Sequence, residues 1–67
     1  MDLHDRINQV INTHAFEQTL QAEGISMIEF QLEWLDYRTF EKLPASYQKA
    51  ILAGEAELAY AGPVVLQ

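Results

Sequence analysis

Residues 25–30, Ile-Ser-Met-Ile-Glu-Phe, spell out the start of a helix, and the helix they open dictates how the rest of the chain must fold. Ser26 can accept from the backbone N–H of Glu29 while the Glu29 carboxylate reaches back to the N–H of Ser26. Ile25 and Phe30 stand where a hydrophobic staple needs its two halves, and Gly24 suits the end of the helix before. The predicted helix, 26–38, is apolar over more than half its circumference, roughly 200°. Met27, Phe30, Trp34 and Tyr37 occupy one flank, Ile28, Leu32 and Leu35 the other. Glu29, Glu33 and Asp36 form a narrow acidic row at i, i+4, i+7 spacing. Such a helix must be covered on two sides.

A chain of 67 residues is poorly placed to do that alone. A domain of this size buries only about 60% of the surface its unfolded form exposes, and small domains usually add a disulfide, a metal or a partner. Cysteine is absent, which excludes disulfides. The expectation is therefore a homodimer packed around the central helix 26–38, or a partner protein seated there.

The remaining segments also read as helices. Leu3, Ile7, Val10 and Ile11 share one arc at 100° per residue, whereas Phe16 and Leu20 fall almost opposite. A break near Asn12–Thr13, with Thr13 capping a second helix, reconciles the two arcs. The predicted helices are 3–12 and 14–23, a single helix to 23 being the alternative. Pro44 stops one segment and can open the next, with Ser46 as an alternative cap. From 45 to 61 the apolar face is Tyr47, Ala50, Ile51, Leu58 and Ala61, with Gly54 in its middle. Gly54 has two readings, the end of a short helix or an interior position whose missing side chain lets another helix approach; the face continues in register past it, which favours the second. That costs about 1 kcal/mol of helix propensity, which close packing must offset. Gly62–Pro63 is a firm stop, and Val64–Leu66 forms an apolar tail that packs back on the core, is disordered, or docks on a partner's sheet edge. The fold class is all-α: three or four short helices in a small bundle, residues 1–61, followed by the tail 62–67.

Charge narrows the partners. Ten acids against four bases leave a net charge of −6, and Arg6, Arg38, Lys42 and Lys49 are scattered. Bare nucleic acid and anionic membranes favour a basic patch, so neither is an expected partner. An acidic face can instead meet a basic protein groove. The first residues lack the basic-then-apolar order of a secretory signal. The stretch 50–66 is interrupted by Glu55 and Glu57 and falls short of the ~20 apolar residues of a membrane span. A soluble, cytoplasmic protein is expected.

Chemistry-bearing constellations are missing. His4 and His14 lie about 15 Å apart if helical, too far to share a metal. His14 and Glu17 have the reverse of the Glu-x-x-His order used in di-iron bundles. Ser26 caps a helix, Ser46 sits at a helix start, and neither has a sequence-adjacent His. Glu29 and Glu33 occupy the most polar strip of their helix, where both stay solvated. The three glycines are dispersed, so there is no phosphate-binding loop. No enzymatic activity, cofactor or metal is expected.

A helix-turn-helix can be laid on Phe16–Trp34, with Gly24 at the turn. Leu20 stands where a small residue usually allows close approach, and Glu33 falls where an apolar residue is common. The would-be reading helix, Met27–Trp34, offers no Lys or Arg for phosphates. The functional expectation is a non-enzymatic, acidic interaction module that binds a larger protein or nucleoprotein complex with a basic surface and blocks or adapts it. By analogy, a compact acidic helical protein of this sort suits an inhibitor of host machinery carried by a phage or mobile element, for example an anti-defence protein. Met27, Phe30, Trp34 and Tyr37 are the expected anchors, with Glu29, Glu33 and Asp36 facing partner cations. A helix-turn-helix-like transcription regulator and a small structural subunit are the alternatives.

Overall fold

The break at Asn12–Thr13 organises the first half of the molecule. In the computed structural model, which describes residues 2–61, α1 spans Leu3–Val10 and α2 spans His14–Ala22. Thr13 serves both helices: its hydroxyl donates to the Val10 carbonyl at 2.7 Å and accepts from the Phe16 N–H at 3.2 Å. It is the one buried polar side chain among the described residues, and both of its hydrogen bonds are made, as burial demands. The bend turns the arc of Leu3, Ile7 and Val10 and the arc of Phe16 and Leu20 toward one core. The first helix stops at Val10 rather than Asn12.

The turn after α2 follows the geometry its residues imply. Gly24 has φ +79°, the left-handed conformation in which glycine is favoured. Its N–H donates to the Gln21 carbonyl at 3.0 Å, and the Ile25 N–H donates to Leu20 at 3.1 Å. This paired closure is a Schellman motif, and Ile25 packs on the core that contains Leu20. Ser26 then caps α3, accepting from the Glu29 N–H at 3.1 Å. The return bond from the Glu29 carboxylate is not formed; that side chain stays in solvent.

α3 covers Met27–Glu33 and tightens into a 3-10 turn at Trp34–Asp36, after which Tyr37 is extended. The helix expected to run to Arg38 is therefore about a turn shorter. Packing accounts for the early exit. The Trp34 ring is held 4.6 Å from His4 and 6.4 Å from Phe30, and the departing chain carries the Tyr37 ring to 6.5 Å from Tyr47. A second 3-10 turn, Phe40–Lys42, leads to Pro44.

α4, Ala45–Ala61, is the long element against which the others pack. Pro44 occupies its cap position and its carbonyl accepts from the Gln48 N–H at 3.0 Å. Ser46 does not cap; its hydroxyl donates to Glu23 at 3.1 Å. The helix continues through Gly54, as its apolar register implies. A Cβ there would collide with the Val10 side chain and lie 2.7 Å from Thr13 Oγ1 and 3.1 Å from Phe16 Cβ. Gly54 is thus where α4 crosses the α1–α2 bend at near-backbone contact. Tyr47, Ala50 and Ile51 bury beside it, whereas Leu58, on the same arc but beyond the crossing, is partly exposed. Phe30 centres the core, edge-on to Phe16 at 5.0 Å and to Tyr47 at 4.8 Å. Such aromatic pairs add about 0.5–1.5 kcal/mol each beyond area burial. The expected stop at Gly62–Pro63 and the tail 62–67 lie outside the described residues. No helix among the described residues is long and apolar enough to cross a membrane.

Candidate functional site

The two flanks of α3 have opposite fates. Phe30 and Trp34 are buried in the chain's own core, and Met27 and Tyr37 pack partly buried against it. This corrects the expectation that Phe30 and Trp34 offer themselves to a partner: their rings are consumed by Phe16, Tyr47 and His4. The opposite flank is open. Ile28, Leu32 and Leu35 are 71%, 74% and 57% exposed, making a continuous apolar stripe one helix turn per step. Isolated exposed leucines are ordinary, but a row of three large aliphatics marks a surface of interest.

Glu29, Glu33 and Asp36 are all exposed and line one edge of this stripe. At 100° per residue they sit about a quarter turn from it, on the side that leads to the start of α4. The row is felt there: burial, and then the nearby Glu33 and Glu29 carboxylates, push the Tyr47 phenol up to about 12. The other edge of the stripe carries the exposed Gln31; Arg38, also exposed, lies past Tyr37, where the chain has left the helix.

Other acids are used internally, which sets the α3 row apart. Glu55 and Arg6 form a two-point fork between α4 and α1, with the second bond at 2.9 Å. The Arg6 guanidinium also lies 4.6 Å over the Phe40 ring, and Glu55 raises its already high pKa. Glu57 reaches across from α4 to the start of α2, accepting from the N–H groups of His14 at 3.2 Å and Ala15 at 2.7 Å. With Thr13 on the Phe16 N–H, the orphan donors of that helix start are satisfied, and a carboxylate meets the positive end of the helix dipole. Glu23, at the end of α2, accepts from Lys49 and Ser46, both at 3.1 Å, and these hold its carboxyl below the usual range. In contrast, Glu29, Glu33 and Asp36 form no ion pair among the described residues.

The histidines part company: His4 is edge-on to Trp34, its Nε2 buried without a hydrogen-bond partner, while His14 is exposed. Among the described residues no three His, Asp or Glu side chains converge as a metal site.

Sequence alone distinguishes Ile28, Leu32 and Leu35 as a flank but assigns the partner role to the aromatics. Relative bulk was the available signal. When a small domain can cover only one side of a helix, it gains most by burying the larger rings. Leu52 and Tyr60, on the outer side of α4, are also exposed, and nothing in the sequence pattern marks them out. No family model, curated protein or solved structure matches the chain.

Proposed function

We propose that this chain is a small, non-enzymatic interaction module that binds a larger protein or nucleoprotein complex through the outward face of α3 and blocks or adapts it. The exposed row Ile28, Leu32 and Leu35 beside three exposed carboxylates carries this reading. The core is complete without that row, so its apolarity serves no internal purpose visible in the packing. A cytoplasmic setting goes with the proposal, and an inhibitor borne by a phage or mobile element is the biological role it suits. Self-association is the other use of the same face. A helix-turn-helix regulator has α2 and α3 in its favour, but α3 exposes Ile28, Glu29, Gln31, Leu32 and Glu33, a set repelled by phosphates.

The test is a photo-cross-linking amino acid placed at position 32 in cells producing the protein, with Gln18, exposed on α2, as the control position. The expected result is one adduct much heavier than a dimer from position 32 and none from position 18. Equal, diffuse labelling from both positions would sink the reading. A single adduct of twice the chain mass would replace it with self-association.

A further inference from the structure

Three features of the α3 face define the chemistry of its occupant, given that this face is the docking site proposed above. First, the face is the outer side of a helix whose three aliphatic side chains project into solvent, and no pocket opens among the described residues, so a groove on the other molecule covers it best. Second, the face is lopsided. The apolar stripe has three acids along one edge and the neutral Gln31 along the other. Third, a standard interface covers about 800 Å² on each side. Three aliphatic side chains, two on a seven-residue helix and one on the 3-10 turn after it, cannot supply that much, so the footprint must extend over an edge.

We propose that the face is taken by a second protein carrying an apolar groove with lysine or arginine along one side only. The groove lies over Ile28, Leu32 and Leu35, and the cations lie over Glu29, Glu33 and Asp36.

A second copy of the chain fits this face less well, by symmetry. In a two-fold pairing with the α3 helices antiparallel, both acidic rows fall on the same side of the contact and face each other. In the parallel pairing each row of three acids meets an edge on which the helix offers Gln31 and no cation. Either arrangement also doubles a net charge of −6. Like charges brought together in this way cost affinity, whereas a cationic edge steers association and fixes orientation. An anionic membrane or a nucleic acid would meet the same repulsion.

The probe is a synthetic helical hairpin with a leucine-lined groove between its helices and lysine along one edge; its twin carries glutamate there. Fluorescence anisotropy of the labelled hairpins against the full chain should show the lysine form binding at least about ten-fold tighter than its twin. Leu32→Ser should weaken it at least about ten-fold, with Ile28→Ser as a second variant; both sites are exposed, so circular dichroism should not change. Replacing Glu29, Glu33 and Asp36 by their amides should weaken binding comparably and flatten its salt dependence. Equal binding of the two hairpins, or binding indifferent to Leu32→Ser, overturns the proposal. So does light scattering that finds a dimer dissolved by Leu32→Ser, or a DNA duplex or anionic vesicle bound through the same residues. If the position-32 adduct forms while lysine and glutamate hairpins bind alike, the partner chemistry fails and the docking reading survives. If the adduct also fails, both fall.

Discussion

The crossing of α4 over the α1–α2 bend and the helix α3 solve the problem of a thin core in opposite ways. At the crossing everything is small and close: Gly54 sits against Val10, Thr13 and Phe16, and three carboxylates of α2 and α4 are each held by a donor from another helix. α3 is large on its inner side and unsupported on its outer one. Its rings fill the core, while Ile28, Leu32 and Leu35 face away from it. The contrast separates residues that hold the fold from residues that the fold holds up for use. Stability should respond to the first group and binding to the second.

The sharpest break would come from Phe30→Ala, on the inner side of α3. Removing a fully buried ring that three other rings touch should cost about 3–5 kcal/mol in urea unfolding. A cost below about 1 kcal/mol would mean that α3 is not anchored as described. Next comes Gly54→Ala at the crossing. An added methyl normally gains about 1 kcal/mol of helix propensity, but here it must displace two short, stiff side chains, and the net loss should be about 2 kcal/mol. A stabilised variant would contradict the close approach. Glu57→Ala should then cost about 1 kcal/mol, measured the same way, and raise amide exchange at His14 and Ala15 above that of the rest of α2.

Alkaline titration probes the seam between the two regions. The Tyr47 pKa is raised from 10.0 to about 12 in the folded chain, chiefly by burial. The native state therefore keeps a proton that the unfolded chain releases sooner. Tyr47's contribution is whole below pH 10 and is lost as pH rises through about 12. Tyr47→Phe should flatten the decline of stability across that window; an unchanged slope would place the phenol in solvent. The smallest effect belongs to the outer flank. Leu32→Ser should shift the unfolding free energy by no more than about 0.5 kcal/mol. A larger loss would assign Leu32 to the fold and remove it from the docking face.

What was legible in the sequence was what neighbours decide. The Thr13 break, the Gly24 turn, the Ser26 cap and the continuity of α4 through Gly54 each depend on residues within a few positions or on one uninterrupted period. The early end of α3 was not legible, because Tyr37 leaves the helix toward Tyr47, ten positions on and on another element. The ranking of the two flanks failed for the same reason: both are apolar, and only the placement of His4, Phe16 and Tyr47 decides which one is covered. Glu55 and Glu57 read merely as interruptions of an apolar run. Their roles as the Arg6 partner and the α2 cap require a contact across more than forty positions.

That long-range cap constrains the order of assembly. Arg6, the start of α2 and Glu23 all find their partners on α4, the last of the described helices to be synthesised. α1, α2 and α3 meet one another at a few places, Phe16 on Phe30 and His4 on Trp34 among them, but most of the apolar face of α2 is covered only by α4. Isolated helices of seven to nine residues are unstable in water, so the earlier segments have little lasting structure to offer one another. The core is complete only once α4 has joined it. A chain interrupted before Gly54 would remain an unfolded, readily degraded fragment rather than a partly working one.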